Sequence, residues 1–184
     1  MTVIAAGKKL VTADELLAMG DIGRCELIDG EIIHMAPAGA QHGDIAMEIA
    51  FRIKAFASAN KLGKVYAAET GFIIKHNPDT VRAPDVAFVH SNRLPAVSDP
   101  RFFDGPPDLA VEVCSPSDRW SDVLAKVDQW LAAGAISVWV VDPPSQSVEI
   151  YRRQSQPVRY HAGQQLADEP TLPGFTLDVA DIFK

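Results

Sequence analysis

Cysteine is scarce in this chain, and so are the features of a disulfide-stapled or membrane-spanning protein. The 184 residues include two cysteines, Cys25 and Cys114. Both lie in apolar, strand-like segments where a free thiol behaves as a small hydrophobe, so a disulfide framework is excluded and a reducing cytoplasm is the expected compartment. No apolar run approaches the roughly 18 residues of a membrane-spanning helix. The stretch Val3-Ile4-Ala5-Ala6 is cut short by Gly7-Lys8-Lys9, so neither a span nor a secretory signal is expected. Positive charge is in deficit as well: 17 Lys and Arg stand against 24 Asp and Glu, a net −7. The first 92 residues carry 9 basic and 11 acidic groups and the last 92 carry 8 and 13, so the acidity is concentrated late. That balance argues against an unassisted, nonspecific nucleic-acid binder, which draws most of its binding free energy from Lys and Arg neutralising phosphates. Repeats, linkers and low-complexity segments are absent. With 47% hydrophobic and 22% charged residues, the composition is that of a globular chain of one domain, residues 1–184.

The order of elements is legible from periodicity and punctuation. Thr12 and Glu15 form the two halves of a capping box opening a short helix that ends near Gly20. Cys25 to Ile28 and Glu31 to Ile33 flank Asp29-Gly30, which predicts a β-hairpin. Ile45, Ile49, Ile53 and Phe56 recur at helical spacing and place the first long helix from His42 to about Ala59. Strands are expected over Lys64 to Ala68, Gly71 to Ile74 and Asp85 to Val89, with a turn at Asn77-Pro78-Asp79. His90 to Pro107 holds four prolines and reads as a long loop and candidate lid, with one helical turn around Arg101 to Phe103. Leu109 to Cys114 is a strong strand, and Ser115-Pro116-Ser117-Asp118 offers helix-initiating residues. The second long helix then runs to about Ala133, with Gly134 as its stop. Ser137 to Val141, almost wholly apolar, reads as a central strand covered on both faces, and Ser147 to Arg152 and Val158 to His161 close the sheet. The fold class is mixed α/β, with a central sheet flanked by helices and an amino-terminal hairpin.

Chemistry is signalled by acids inside apolar strands. Alternation puts Glu112 on the strand face of Ala110 and Cys114, two small residues that leave room beside it, and puts Asp85 on the face of Ala87 and Val89. A carboxylate in such company is costly unless it is paired or binds a metal. Two of them can share a divalent cation, and oxygen ligands without a His/Cys cluster favour Mg²⁺ or Mn²⁺ over zinc. Simpler roles stand beside these: Glu112 in an ion pair that satisfies the core, and Asp85 as a strand-entry residue after Pro84. On the second long helix Trp120, Val123, Val127, Trp130 and Leu131 form the apolar stripe. Lys126 lies about 100° from the centre of that stripe, at the border of the core, and Arg119 falls at nearly the same azimuth. Such a lysine can reach back toward the acids or lay its stem over apolar surface with its amine in water.

Pro84-Asp85, Glu112-Val113-Cys114-Ser115-Pro116-Ser117-Asp118, Lys126, Gly134-Ala135 and Trp139-Val140-Val141-Asp142-Pro143 together resemble the Uma2 family, a bacterial group with a restriction-endonuclease-like domain. Glu26-Leu27-Ile28-Asp29-Gly30-Glu31 and His42 extend the resemblance over nearly the whole chain. The resemblance implies the PD-(D/E)XK nuclease-like fold, with Asp85 and Glu112 as ligands of Mg²⁺ or Mn²⁺ and the Val113 carbonyl as a third. The lysine of the parent motif, two residues beyond the second acid, is Cys114 here, so the resemblance moves that role to Lys126. His42 is expected either to support the metal-binding acids from behind or to contact substrate, and Arg119 to contact substrate, with Arg93 and Arg101 also flanking the cleft; a His heading a helix can equally cap it or face solvent. The implied reaction is metal-assisted hydrolysis of phosphodiester bonds in nucleic acid, DNA foremost, by a homodimer. Two other classes remain open: a binding or scaffold module that keeps the fold without turnover, and a metal-dependent hydrolase of other substrates.

Overall fold

The computed structural model describes residues 9–95 and 100–184; Val3 to Ala6 lie outside them. The short helix α1 (Ala13–Ala18) carries the expected capping box, Thr12 accepting from Glu15 N and Glu15 returning to Thr12 N. The hairpin follows as β1 (Cys25–Ile28) and β2 (Glu31–His34). Its turn residues Asp29 and Gly30 sit at φ 49° and 79°, the left-handed pair that a two-residue turn demands. Then come α2 (Ala40–Ala59), β3 (Gly63–Ala67), β4 (Phe72–Lys75), β5 (Thr80–Arg82) and β6 (Val86–His90). After these lie β7 (Phe103–Asp104), β8 (Leu109–Val113) and α3 (Trp120–Ala133). The chain closes with β9 (Ser137–Asp142), β10 (Ser147–Arg152), β11 (Val158–His161), β12 (Gln165–Leu166) and β13 (Leu177–Asp178).

Six strands form the main sheet in the order β11-β10-β9-β8-β6-β3. Strands β8 and β9 are parallel and joined through α3, while the other neighbours are antiparallel. Alternation along β6, β8 and β9 divides the core between the two faces. On one, Val86, Phe88, Val111 and Val141 pack under Ile45, Ile49 and Ile53 of α2. On the other, Ala87, Ala110, Val138 and Val140 meet Val123, Val127 and Trp130 of α3. Residues 123, 127 and 130 repeat every three or four positions, so one stripe of α3 is buried, and Gly134 at φ 120° ends the helix. Trp130 is fully buried, and a side chain of that size contributes about 1.5–3 kcal/mol or more by burial alone.

The fold is mixed α and β, and it differs from the sequence reading in several places, among them the small β12–β13 sheet. The hairpin does not stand alone: it joins β5, β4 and β7 in a second sheet of order β2-β1-β5-β4-β7. Strand β5 escaped notice because three residues are too few to show a period. Arg101 to Phe103 is not a helical turn. Phe103 and Asp104 pair in parallel with Phe72 and Ile73, and the helical turn falls instead at Ser91–Arg93. Among the described residues no helix is long and apolar enough to cross a membrane.

Candidate active site

Strand register brings the two acids together. Val86 pairs with Val111 and Ala87 with Ala110, so one step further Asp85 stands opposite Glu112 on the face that α3 covers. Here the chain of Asp85 leaves the regular ladder: its N–H donates to the Val111 carbonyl at 3.0 Å, and its Oδ2 accepts from Val113 N at 2.8 Å. The carboxylate thus substitutes for a main-chain acceptor and is locked in place by β8. Its Oδ1 lies 2.9 Å from His42 Nε2, and His42 Nδ1 is 3.3 Å from Ser115 Oγ. His42 therefore sits behind Asp85 as its orienting partner; it neither caps α2, whose N-cap is Gly39, nor faces solvent.

Glu112 is buried on β8, where Oε1 accepts from Trp130 Nε1 at 2.8 Å and Oε2 faces Lys126 Nζ at 3.4 Å. Lys126 and Trp130 are one turn apart on α3, which is why a single helix supplies both partners. Burial pushes the Glu112 carboxyl above its ordinary range and Asp85 and Glu26 push the same way, against the pull of Lys126 and the Trp130 hydrogen bond. For Lys126, burial alone lowers the pKa, but the negative charges of Glu112, Glu26 and Asp85 outweigh it and the Arg82 charge, so the net shift is upward and the amine stays charged. The lysine points at the acid instead of stretching into water.

His42, Asp85, Glu112 and Lys126 line one cleft of about 510 Å³, together with Val113, Cys114, Asp118 and, at its mouth, Arg119. Arg119 is the N-cap residue of α3, its carbonyl accepting from Asp122 N and Val123 N, and it is exposed with no side-chain hydrogen bond or ion pair among the described residues. Cys114, at the position of the motif lysine, is a neutral thiol pushed up to about 12 by burial and by the charges of Asp142, Asp118, Glu112 and Asp85. Every residue singled out in the sequence as catalytic, metal-binding or substrate-binding thus reaches this cleft. Arg93 does not: it bonds to Asp108 and to the Pro106 carbonyl and, with Arg101, lines a separate depression. The described part of the expected lid, Phe102 and Phe103 included, borders that second depression instead of closing over the acids.

Three charged residues at the site were given no functional role from the sequence. Glu26 of β1 is buried, accepts from Arg82 Nη1 at 2.5 Å and from Ala83 N at 3.2 Å, and adds negative charge near Glu112 and Lys126. Arg82 in turn donates to Gln129 of α3 at 2.8 and 2.6 Å, tying the second sheet to the helix that carries Lys126. Glu26 had the same signal as Glu112, an acid in an apolar strand. Arg24, which reaches to 3.6 Å from Asp85 Oδ1, had none.

Among the described residues no three His, Cys, Asp or Glu side chains converge into a ready metal cage. The site still fits a hard divalent cation, because Mg²⁺ keeps several waters and is commonly held by one or two carboxylates. A desolvated Glu112 facing a second carboxylate is also the setting that a cation would relieve.

The family model of Uma2, described as "Putative restriction endonuclease", matches residues 13–180. This chain belongs to the Uma2 family. Among solved structures, this Uma2 chain is similar to a protein from Anabaena variabilis ATCC 29413 described as "a putative nuclease belonging to DUF820". The two are 22% identical and superpose with a TM-score of 0.81 over 94% of this chain and 97% of that one, which establishes a shared fold. No curated protein matches this Uma2 chain.

Proposed function

We propose that this protein is a metal-dependent nuclease that hydrolyses phosphodiester bonds in nucleic acid, DNA foremost. Asp85 and Glu112 would hold Mg²⁺ or Mn²⁺, with the Val113 carbonyl as a third oxygen ligand. The observation that carries this reading is a pair of buried carboxylates, Asp85 just before β6 and Glu112 on the neighbouring β8, lining one cleft with Lys126 Nζ 3.4 Å from Glu112. When bound, the cation supplies Lewis acidity and offsets negative charge at the phosphoryl group.

The chain's own residues do the rest. His42 and Val113 N hold Asp85, and Trp130 holds Glu112, so both carboxylates are oriented before substrate arrives. The Lys126 ammonium lies where it can stabilise charge that develops on the phosphoryl oxygens, and a preorganised donor in a partly desolvated site acts there without reorganising. Arg119 at the mouth is placed to meet a neighbouring phosphate. The net −7 is only partly offset in the cleft, where Lys126, Arg24 and Arg119 stand beside Asp85, Glu112, Asp118 and Asp122, and a bound divalent cation would add positive charge there.

Calorimetric titration with Mn²⁺ and nicking of supercoiled plasmid test this reading together. The wild type should bind Mn²⁺ and nick in Mg²⁺ but not in EDTA, Glu112→Gln should lose both, and Lys126→Ala should bind Mn²⁺ without nicking. A scaffold role is favoured by Cys114, a neutral side chain where the parent motif has a charged one. Full Mn²⁺ binding without any nicking by the wild type would select that second reading.

A further inference from the structure

Several arginines of the fold are held by short contacts. Arg82 makes contacts of 2.5, 2.6 and 2.8 Å, Arg93 of 2.7 and 3.0 Å, and Arg52 of 2.7 and 3.2 Å. Arg24 is different. Its side chain is 22% exposed, yet among the described residues its polar contacts are all long: 3.4 Å to the Ala36 carbonyl, 3.6 Å to Asp85 and 3.9 Å to Glu69. A guanidinium has five N–H donors in a fork that matches a phosphate, and here most of that capacity is unspent at a partly desolvated position.

Arg24 also stands where two cavities meet. On one side is the cleft of the acids. On the other is a groove of about 440 Å³ between α2 and the end of β3, which shares Arg24, His42 and Asp85 with the cleft. The groove walls are mostly short and apolar, with Gly43, Ala46 and Ala50 from α2, Ala67 and Ala68 from the strand side, and Met47 at the rim 65% exposed, while Glu69 lines the end next to Arg24. A slot with small apolar walls beside an underused guanidinium suits a flat, apolar-faced ring carried next to an anion. That is the chemistry of one nucleotide.

We propose that Arg24 and this groove bind a single unpaired nucleotide of the substrate, the guanidinium on its phosphate and the base in the slot, so that the preferred substrate presents an unpaired strand. The inference rests on the nuclease reading for the class of ligand. Bases inside a duplex are stacked and paired, and one of them enters such a slot only after it has been unstacked.

The test is fluorescence-anisotropy binding in EDTA at low salt, so that no turnover is needed, with a short labelled single-stranded DNA and the same sequence as a duplex. The variants are Arg24→Gln, which removes the fork, and Gly43→Leu, which fills the slot. A Cβ at Gly43 meets nothing within 4 Å, and leucine is a better helix former than glycine, so this variant should fold at least as well as the wild type. The wild type should bind the single strand about tenfold more tightly than the duplex, and each variant should lose about that factor while its melting temperature holds and Gly43→Leu keeps wild-type Mn²⁺ binding. Equal affinity for the two DNAs, binding to neither, or an unaffected Gly43→Leu would overturn the proposal. So would a wild-type dimer in sedimentation velocity that Gly43→Leu dissociates, because a second copy would then be the occupant. Mn²⁺ titration separates the two readings: retained Mn²⁺ binding without single-strand preference removes only this inference, and the converse removes only the metal site.

Discussion

Two of the buried glutamates of this fold, Glu169 and Glu112, stand at opposite ends of its chemistry. Glu169 is 1% exposed and fully provided for: Ser137 Oγ and Trp139 Nε1 donate to Oε2 at 2.9 Å each, and Thr171 donates to Oε1 from N at 3.1 Å and from Oγ1 at 2.9 Å. Arg152 Nη2 stands 3.6 Å from the same carboxylate. Glu112 has one short partner, Trp130, and one long one, Lys126, and it borders an open cleft opposite a second acid. The difference teaches that burial of an acid does not mark a site. What marks one is capacity left unspent toward a space that a ligand can enter, since a buried polar group without partners is costly and persists only where something else requires it.

Substitutions at the two glutamates should therefore fail in opposite ways. The largest effect on folding is expected for Glu169→Ala, which orphans the Ser137, Trp139 and Thr171 donors and strips Arg152 of its counter-charge. A loss of about 3–5 kcal/mol is expected in urea unfolding, with Mn²⁺ affinity of the folded fraction unchanged. Glu112→Gln should behave the other way, losing Mn²⁺ affinity by about 100-fold or more while stability changes by less than about 1 kcal/mol in either direction, because a neutral amide escapes the desolvation cost. If Glu112→Gln were as destabilising as Glu169→Ala, the contrast between a structural and a functional acid would be lost. Trp130→Phe keeps the ring in the core and removes only the indole donor to Glu112. Its cost should be about 1–2 kcal/mol by thermal unfolding, with weakened Mn²⁺ binding as the sign that the donor orients the acid.

Much of this was readable in the chain before any coordinates. Glu112 announced itself because five of the six residues from Leu109 to Cys114 are apolar, and Lys126 because helical spacing set it at the edge of the Val123, Val127 and Trp130 stripe. A supporting role for His42 was among the expectations, but its partner was not readable, since only folding brings the first turn of α2 against Asp85, 43 residues away in sequence. The Arg82–Gln129 tie and the placement of Arg24 depend on the same long-range geometry. The second sheet was half hidden, because β5 and β7 span three and two residues and show no alternation. Glu169 illustrates the limit from the other side: its segment, Asp168-Glu169-Pro170-Thr171, reads as a polar turn, yet it carries the most fully satisfied buried carboxylate described here.

The smallest expected effect concerns Cys114, which shares the cleft wall but lacks the poised chemistry of its neighbours. A thiol pushed up to about 12 is almost wholly protonated at neutral and mildly alkaline pH, so iodoacetamide at pH 8 should leave native Cys114 unmodified and alkylate it after unfolding. Rapid native alkylation would show that the cleft is wetter and less negative than described.

The most direct measurement is a crystal soaked in Mn²⁺ and examined at the manganese absorption edge. The account predicts one anomalous peak between the Asp85 and Glu112 carboxylates, with His42 and Trp130 still in contact with them. A peak elsewhere, or a crystal without one in which both acids keep only their protein partners, would contradict it.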